Sequence, residues 1–235
     1  MTSAVEDLRI VALRLNELGV HDIVFVGGAI IGLLISDSAA PEPRATLDVD
    51  VVTGIDSRKA FNALEARLRE AGHIQPEGGP ICRWLIDRVT VDLMPLDESI
   101  LGFSNRWYRD LLQHAQARRF DDIEIRLASA PYLLATKLEA FRSRGNSDYR
   151  MSRDIEDILI LVDGRPELAD EVRRAPQDVQ GYLRTEIGRL LADEAFTDGI
   201  PEHLPPDTAS QARAAIILER LEAIREAARQ AGGTG

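Results

Sequence analysis

The chain has 235 residues, 45% of them hydrophobic and 29% charged, enough to bury a core and unlike a disordered tail. Lys and Arg number 28 against 39 Asp and Glu, a formal net charge of −11, which argues against a broad nucleic-acid-coating surface but not against a local basic groove. One cysteine, Cys82, excludes an internal disulfide and a Cys-built zinc site, and His21, His73, His114 and His203 stand without HExxH or HxxxH spacing.

Met1 to Arg14 is amphipathic and mixed in charge, unlike a signal peptide. Ser3-Ala4-Val5-Glu6 reads as a capping box, so a helix is expected from about Ala4, with Val5, Leu8, Leu15 and Leu18 on one face and Gly19 as its stop. Asp22 to Val26 reads as a buried strand, Gly27-Gly28 as a turn and Ala29 to Ile35 as a short buried helix. The apolar run Ile23 to Ile35 is too short to cross a bilayer, so a soluble cytoplasmic protein with no membrane partner is expected. Ser36 to Ala45 reads as a mobile loop, Leu47 to Val52 as a strand, and Ser57 as the cap of a helix through Ala71 closed by Gly72. Arg83 to Ile86 and Val89 to Met94 predict a hairpin around Asp87-Arg88. Asn105 to Ala115 reads as helix and Ile123 to Leu127 as the last strand. Helices are then expected over Pro131–Ser143, Ser152–Val162, Pro166–Arg174, Gln177–Phe196 and Thr208–Gln230. This texture predicts an α/β module followed by a helical one, with the boundary near Ala128.

Two features carry chemistry. Asp48 and Asp50 are two apart on a predicted strand, so their carboxylates share one face, and Leu47, Val49 and Val51 take the other. Asp92 alternates likewise against Val91 and Leu93 on its own strand. If the two strands are neighbours, three carboxylates converge and repel unless a cation sits among them, and hard oxygen ligands suit Mg²⁺. The bland alternative is three solvated aspartates. The second feature is Gly27-Gly28 between a strand and a short helix, where backbone N–H groups can approach a polyphosphate. No GK[ST] follows and no third glycine makes a dinucleotide fingerprint.

These residues together resemble a known signature. Val26-Gly27-Gly28-Ala29, Arg44-Ala45-Thr46-Leu47-Asp48-Val49-Asp50 and Thr90-Val91-Asp92 are similar to the glycine turn, DxD pair and later-strand Asp of the nucleotidyltransferase superfamily. Leu134-Ala135-Thr136-Lys137-Leu138-Glu139-Ala140-Phe141-Arg142, followed by Arg153-Asp154-Ile155-Glu156-Asp157-Ile158, resembles the AbiEii-type toxin nucleotidyltransferases of type IV toxin–antitoxin systems. Gly28 stands where many relatives have Ser, and the interval from Gly28 to Asp48 is longer than usual. The resemblance implies an α+β fold: a nucleotidyltransferase-like mixed sheet with flanking helices over residues 1–128, then a helical bundle over 129–235 that completes the nucleotide site. It implies Asp48, Asp50 and Asp92 as catalytic residues and ligands of Mg²⁺ or Mn²⁺, and Gly27, Gly28, Arg44, Thr46, Lys137 and Asp154 as nucleotide-binding residues. The implied reaction moves an NMP from an NTP to an acceptor hydroxyl, with tRNA as acceptor and a separate antitoxin protein as partner. Two alternatives stand beside it: transfer to a small molecule such as an aminoglycoside, and a degenerate nucleotide-binding regulator without turnover.

In the second half, Leu134, Leu138 and Phe141 form a stripe with Lys137 at its edge, where a lysine either faces a phosphate or snorkels. On the next helix Asp154 flanks the stripe of Ile155, Ile158, Leu159 and Val162, whereas Asp157 is expected to point outward and balance Arg153. Arg142, Arg144, Arg150 and Arg153 form the local basic stretch available to an RNA. Trp84 and Trp107 are expected in the core.

Overall fold

The computed structural model describes residues 3–120, 123–144 and 148–228. The hydroxyl of Ser3 in the capping box, the Arg144 side chain and the end of the last helix at Gln230 lie outside the described residues. The fold class is α+β, with two compact units. One takes the chain up to Ile30 and again from Ala45 to Ser129, and the other takes Ile31–Arg44 and the chain from Ala130 onward.

The first unit is built on six strands: β1 (Ile23–Val26), β2 (Asp48–Thr53), β3 (Arg83–Ile86), β4 (Val89–Met94), β5 (Gln116–Phe120) and β6 (Ile123–Leu127). Their order is β3-β4-β2-β1-β6-β5. The central pairs β2/β4 and β1/β6 run parallel, and β1/β2, β3/β4 and β5/β6 antiparallel. Register decides what each face carries, because paired residues point the same way. Phe25, Val51 and Leu93 pair across one face, and Trp84 pairs with Val91 on that same face. All five are fully buried. Helix α1 (Ser3–Glu17) packs against β4 and β6 and buries Leu8, Val11 and Leu15. Helix α3 (Arg58–Glu70) starts where Ser57 Oγ accepts from the Ala60 amide and ends at Gly72 with φ +84°.

Two elements of this unit carry weaker sequence signals. A one-turn helix α4 (Glu98–Leu101) is capped by Asp97 and closed by Gly102, and the expected helix from Asn105 shortens to α5 (Tyr108–Gln113). Strand β5 reads Gln-Ala-Arg-Arg-Phe and sits at the sheet edge, where polar residues need no buried face. Leu47, expected on the apolar face, is instead 90% exposed, since pairing begins only at Asp48.

The second unit is helical: α2 (Ile31–Leu34), α6 (Ala130–Arg144), α7 (Arg153–Gly164), α8 (Leu168–Arg174), α9 (Gln177–Leu191), α10 (Glu194–Gly199) and α11 (Thr208–Ala227). The expected helix over Gln177–Phe196 is two helices, because Asp193 stops the first and accepts from the Ala195 amide to cap the second. Helix α7 packs against α2, α6 and α11. Being covered on several sides, it buries Asp154, Asp157 and Asp163 along with its apolar residues.

Residues 36–44 have no regular structure, as expected of a loop, but charge ties them down within this unit. The Ser36 and Asp37 amides donate to the Gly164 carbonyl at 2.9 and 3.0 Å. Arg213 donates to Asp163 at 2.9 and 2.8 Å and to Asp37 at 2.8 Å, and Arg220 reaches Asp37 at 3.2 Å. Arg165 forks onto Glu171 with two bonds of 2.7 Å and donates to the Leu34 carbonyl.

Candidate functional site

The carboxylate face of the first unit follows from strand alternation and register. Asp48 and Asp50 alternate with Val49 and Val51, and the parallel pairing sets Asp50 opposite Asp92 and Asp48 opposite Thr90. Antiparallel β3 places Arg83 opposite Asp92, and antiparallel β1 places Val26 opposite Asp50. Arg83, Asp92, Asp50 and Val26 thus form one row across four strands spaced about 4.8 Å apart. The three aspartates expected to converge do share this face.

Arg83 is the residue that sequence reading missed. Its Nε donates to Asp92 Oδ1 at 2.8 Å, and its Nη2 donates both to Asp92 Oδ2 at 2.7 Å and to Asp48 Oδ2 at 2.7 Å. The bond to Asp92 raises the guanidinium's pKa further, so it is charged at any working pH. The signal was present in sequence as Arg83 at the head of a predicted hairpin strand, yet only the register turns it toward Asp92. Burial, aided by the neighbouring Asp92 charge, pushes the adjacent Cys82 thiol up to about 12, so it is no nucleophile at neutral pH.

The glycine turn closes the row. Gly27 has φ +73°, a conformation L residues rarely adopt. A Cβ there would lie 1.8 Å from Asp50 Oδ2 and 3.0 Å from Asp50 Cβ, so the Asp50 carboxylate rests directly against the turn. Gly28 opens a 3-10 turn, Gly28–Ile30, that leads away from the strand. Thr46 is half-buried, two residues before β2.

A second cluster lies within the helical unit. Lys137 Nζ is 2.6 Å from Asp157 Oδ2 and 3.4 Å from Asp154 Oδ1. Arg44 Nε is 2.9 Å from Glu156 Oε2, and its Nη2 donates to Asp157 Oδ1 at 3.4 Å. Asp157, expected to point outward toward Arg153, is therefore the buried centre of this cluster, 2% exposed and shared by two cations. The single-stripe reading of α7 misplaced it because this helix has more than one covered face. Arg44, Lys137 and Asp154 do come together, as three of the expected nucleotide-binding residues. A cavity of about 300 Å³ in the same unit is lined by Arg44, Glu42, Glu156, Glu202, Leu159 and Leu204, among others.

The basic stretch is internally neutralised in part. Arg142 pairs with Glu139 at 3.4 Å and Glu186 at 3.7 Å, and Arg150 pairs with Glu202 at 3.1 Å. Arg153 is exposed. Trp84 and Trp107 are buried, as expected of core residues.

The family model described as "Nucleotidyl transferase AbiEii toxin, Type IV TA system" matches residues 14–232. The chain belongs to the AbiEii family. A nucleotidyltransferase-like antigenic protein from Paracoccidioides brasiliensis is similar in structure, with a TM-score of 0.51 and 22% identity over 83% of this chain and 92% of that one. A candidate nucleotidyltransferase from H. pylori aligns over 98% of this chain and 99% of its own, at 12% identity and a TM-score of 0.49. At such identities the likeness concerns fold alone. No curated protein matches the sequence. Among the described residues, no helix is long and apolar enough to cross a membrane.

The donor chemistry of the AbiEii carboxylate face fits a hard divalent ion: three carboxylates on one side of the sheet, two of them already holding a guanidinium cation. Among the described residues, no three His, Cys, Asp or Glu side chains are arranged to hold a metal ion.

Proposed function

We propose that this AbiEii nucleotidyltransferase transfers an NMP from an NTP to an acceptor hydroxyl. The new bond joins the acceptor oxygen to the α-phosphorus, the bond to the β-phosphate oxygen breaks, and pyrophosphate leaves. The observation that supports this most is the row of Asp50 and Asp92 on adjoining parallel strands, flanked by Asp48 and closed by the Gly27 turn. In this reading Asp48, Asp50 and Asp92 hold Mg²⁺ or Mn²⁺, which neutralises the charge of the triphosphate when bound. Asp92 takes the proton of the attacking hydroxyl. Gly27 and Gly28 offer backbone N–H groups to phosphate oxygens. Arg44 and Lys137, oriented by Asp157 and Asp154, supply cationic donors to the phosphates, with Thr46 as a further polar contact.

The acceptor we favour is the hydroxyl of an RNA, most simply a tRNA end, reached through Arg142, Arg150 and Arg153. A cognate antitoxin follows from the family's type IV toxin–antitoxin description, and the setting is cytoplasmic. A second reading has a specific observation behind it: the cavity beside Arg44 carries Glu42, Glu156 and Glu202, an acidic lining suited to a small cationic acceptor such as an aminoglycoside.

The test incubates the protein with each labelled NTP, Mg²⁺, total tRNA and, separately, a panel of aminoglycosides. Label on tRNA, lost in Asp48→Asn/Asp50→Asn, is the expected result. Label on the drugs alone moves the assignment to the small-molecule reading, and label on neither removes both acceptors.

A further inference from the structure

The carboxylate face already holds a cation of its own. Arg83 spends both oxygens of Asp92 and one of Asp48 on three charge-assisted hydrogen bonds of 2.7 to 2.8 Å. A divalent ion bound to those aspartates needs the same oxygen lone pairs, at 2.0–2.1 Å for Mg²⁺ or about that for Mn²⁺, and would face a like charge alongside. The two cations exclude one another at Asp48 and Asp92. The Asp50 carboxylate also lies over Gly27.

Arg83 is also positioned to leave. It is the first residue of β3, and β3 is an edge strand. Ile81 and Cys82 separate it from Gly78-Gly79-Pro80, and Arg83 Cδ is 3.6 Å from where a Cβ on Gly79 would stand, so its stem runs beside a loop. The side chain is 28% exposed and Asp48 is 35% exposed, so water and ions reach the contact. Trp84, the next residue, points into the core and keeps the strand in place whether or not the guanidinium holds its partners.

We propose that Arg83 is the resident counter-ion of this face, that a divalent cation binds by displacing it, and that Arg83 therefore sets the metal affinity of the chain. The inference rests on the reading of Asp48, Asp50 and Asp92 as metal ligands. Without metal, Arg83 keeps the Asp48 and Asp92 charges together at low cost; with metal, the guanidinium swings off the edge strand.

The experiment is a calorimetric Mn²⁺ titration of the full chain without nucleotide, for wild type, Arg83→Gln, Arg83→Lys and Asp50→Asn. Removing the competing charge-assisted bonds should tighten Mn²⁺ binding in Arg83→Gln by about ten- to a hundredfold. Arg83→Lys should fall between it and wild type. Arg83→Gln should melt lower than wild type without metal and show the larger Mn²⁺-induced rise in Tm. Equal Mn²⁺ affinity in wild type and Arg83→Gln, with binding lost in Asp50→Asn, overturns the displacement and leaves the metal reading standing. Absence of Mn²⁺ binding in every variant overturns both. Should Arg83→Gln fail to fold, wild type decides alone. Saturating Mg²⁺ should move the Arg83 Nε–H resonance to a solvent-exchanging position, and an unmoved resonance overturns the inference.

Discussion

Gly27→Ala is the sharpest test of how the glycine turn and the carboxylate face fit together. Two costs should add. The first is conformational: φ is +73°, and an L residue in the left-handed region costs about 1–2 kcal/mol. The second is steric. The new Cβ would fall 1.8 Å from Asp50 Oδ2, 2.7 Å from Cγ and 3.0 Å from Cβ. Rotating Asp50 relieves the first two contacts, but its Cβ is fixed to β2, so the turn itself must shift, an overpacking cost of about 1–3 kcal/mol. The sum is about 2–5 kcal/mol, which with a urea m-value near 2 kcal/mol/M lowers the unfolding midpoint by about 1–2.5 M. Gly72→Ala isolates the conformational part, since its φ is +84° and nothing lies within 4 Å of its would-be Cβ. Gly79→Ala, with ordinary contacts at 3.6 Å and beyond and no positive φ, should change little. All three lie in the first unit, as do both tryptophans, Trp84 and Trp107, so intrinsic fluorescence in urea reads this unit's unfolding. If Gly27→Ala lowers the midpoint no more than Gly72→Ala, Asp50 does not rest on the turn and the row of side chains is wrong.

Other consequences concern the helical unit. Lys137→Ala strips the nearer cation from a carboxylate that is 2% exposed, and breaking a buried pair costs about 3–5 kcal/mol, here the lower end because Arg44 remains. Denaturation of Lys137→Ala followed by circular dichroism should show that loss, and Lys137→Met with Asp157→Asn should recover most of it; a double variant as unstable as the single one would refute the pairing. Arg213, the Ala39 amide and Arg220 hold the Asp37 carboxyl well below the usual carboxylate range, at about 2. A depressed folded pKa stabilises above the unfolded value and loses that contribution as pH falls toward the folded one. The unit should therefore weaken between about pH 4 and pH 2, and Asp37→Asn, less stable at neutral pH, should show a shallower decline. Parallel acid titrations of helix signal in the two proteins would speak against this anchor.

Much of this protein is local in origin. The alternation of Asp48-Val49-Asp50-Val51 sets two carboxylates on one strand face whatever the neighbours are, because successive side chains diverge. Ser57, Gly72 and the Asp87-Arg88 hairpin likewise end and begin their elements through contacts a few residues away. What tertiary structure decided is who stands beside whom. That Asp92 meets Asp50 depends on β2 and β4 being neighbours, and that Arg83 grips Asp92 and Asp48 depends on the register of an edge strand; neither leaves a trace in periodicity. Strand β5 escaped notice because an exposed edge carries no apolar alternation. Asp157 was misplaced for the opposite reason: a helix wrapped by neighbours has no single buried stripe, and a carboxylate can sit inside it when a distant Lys137 and Arg44 arrive to neutralise it. Spacing along the chain shows which side chains share a face, but which charges meet across faces is set only when the chain has packed.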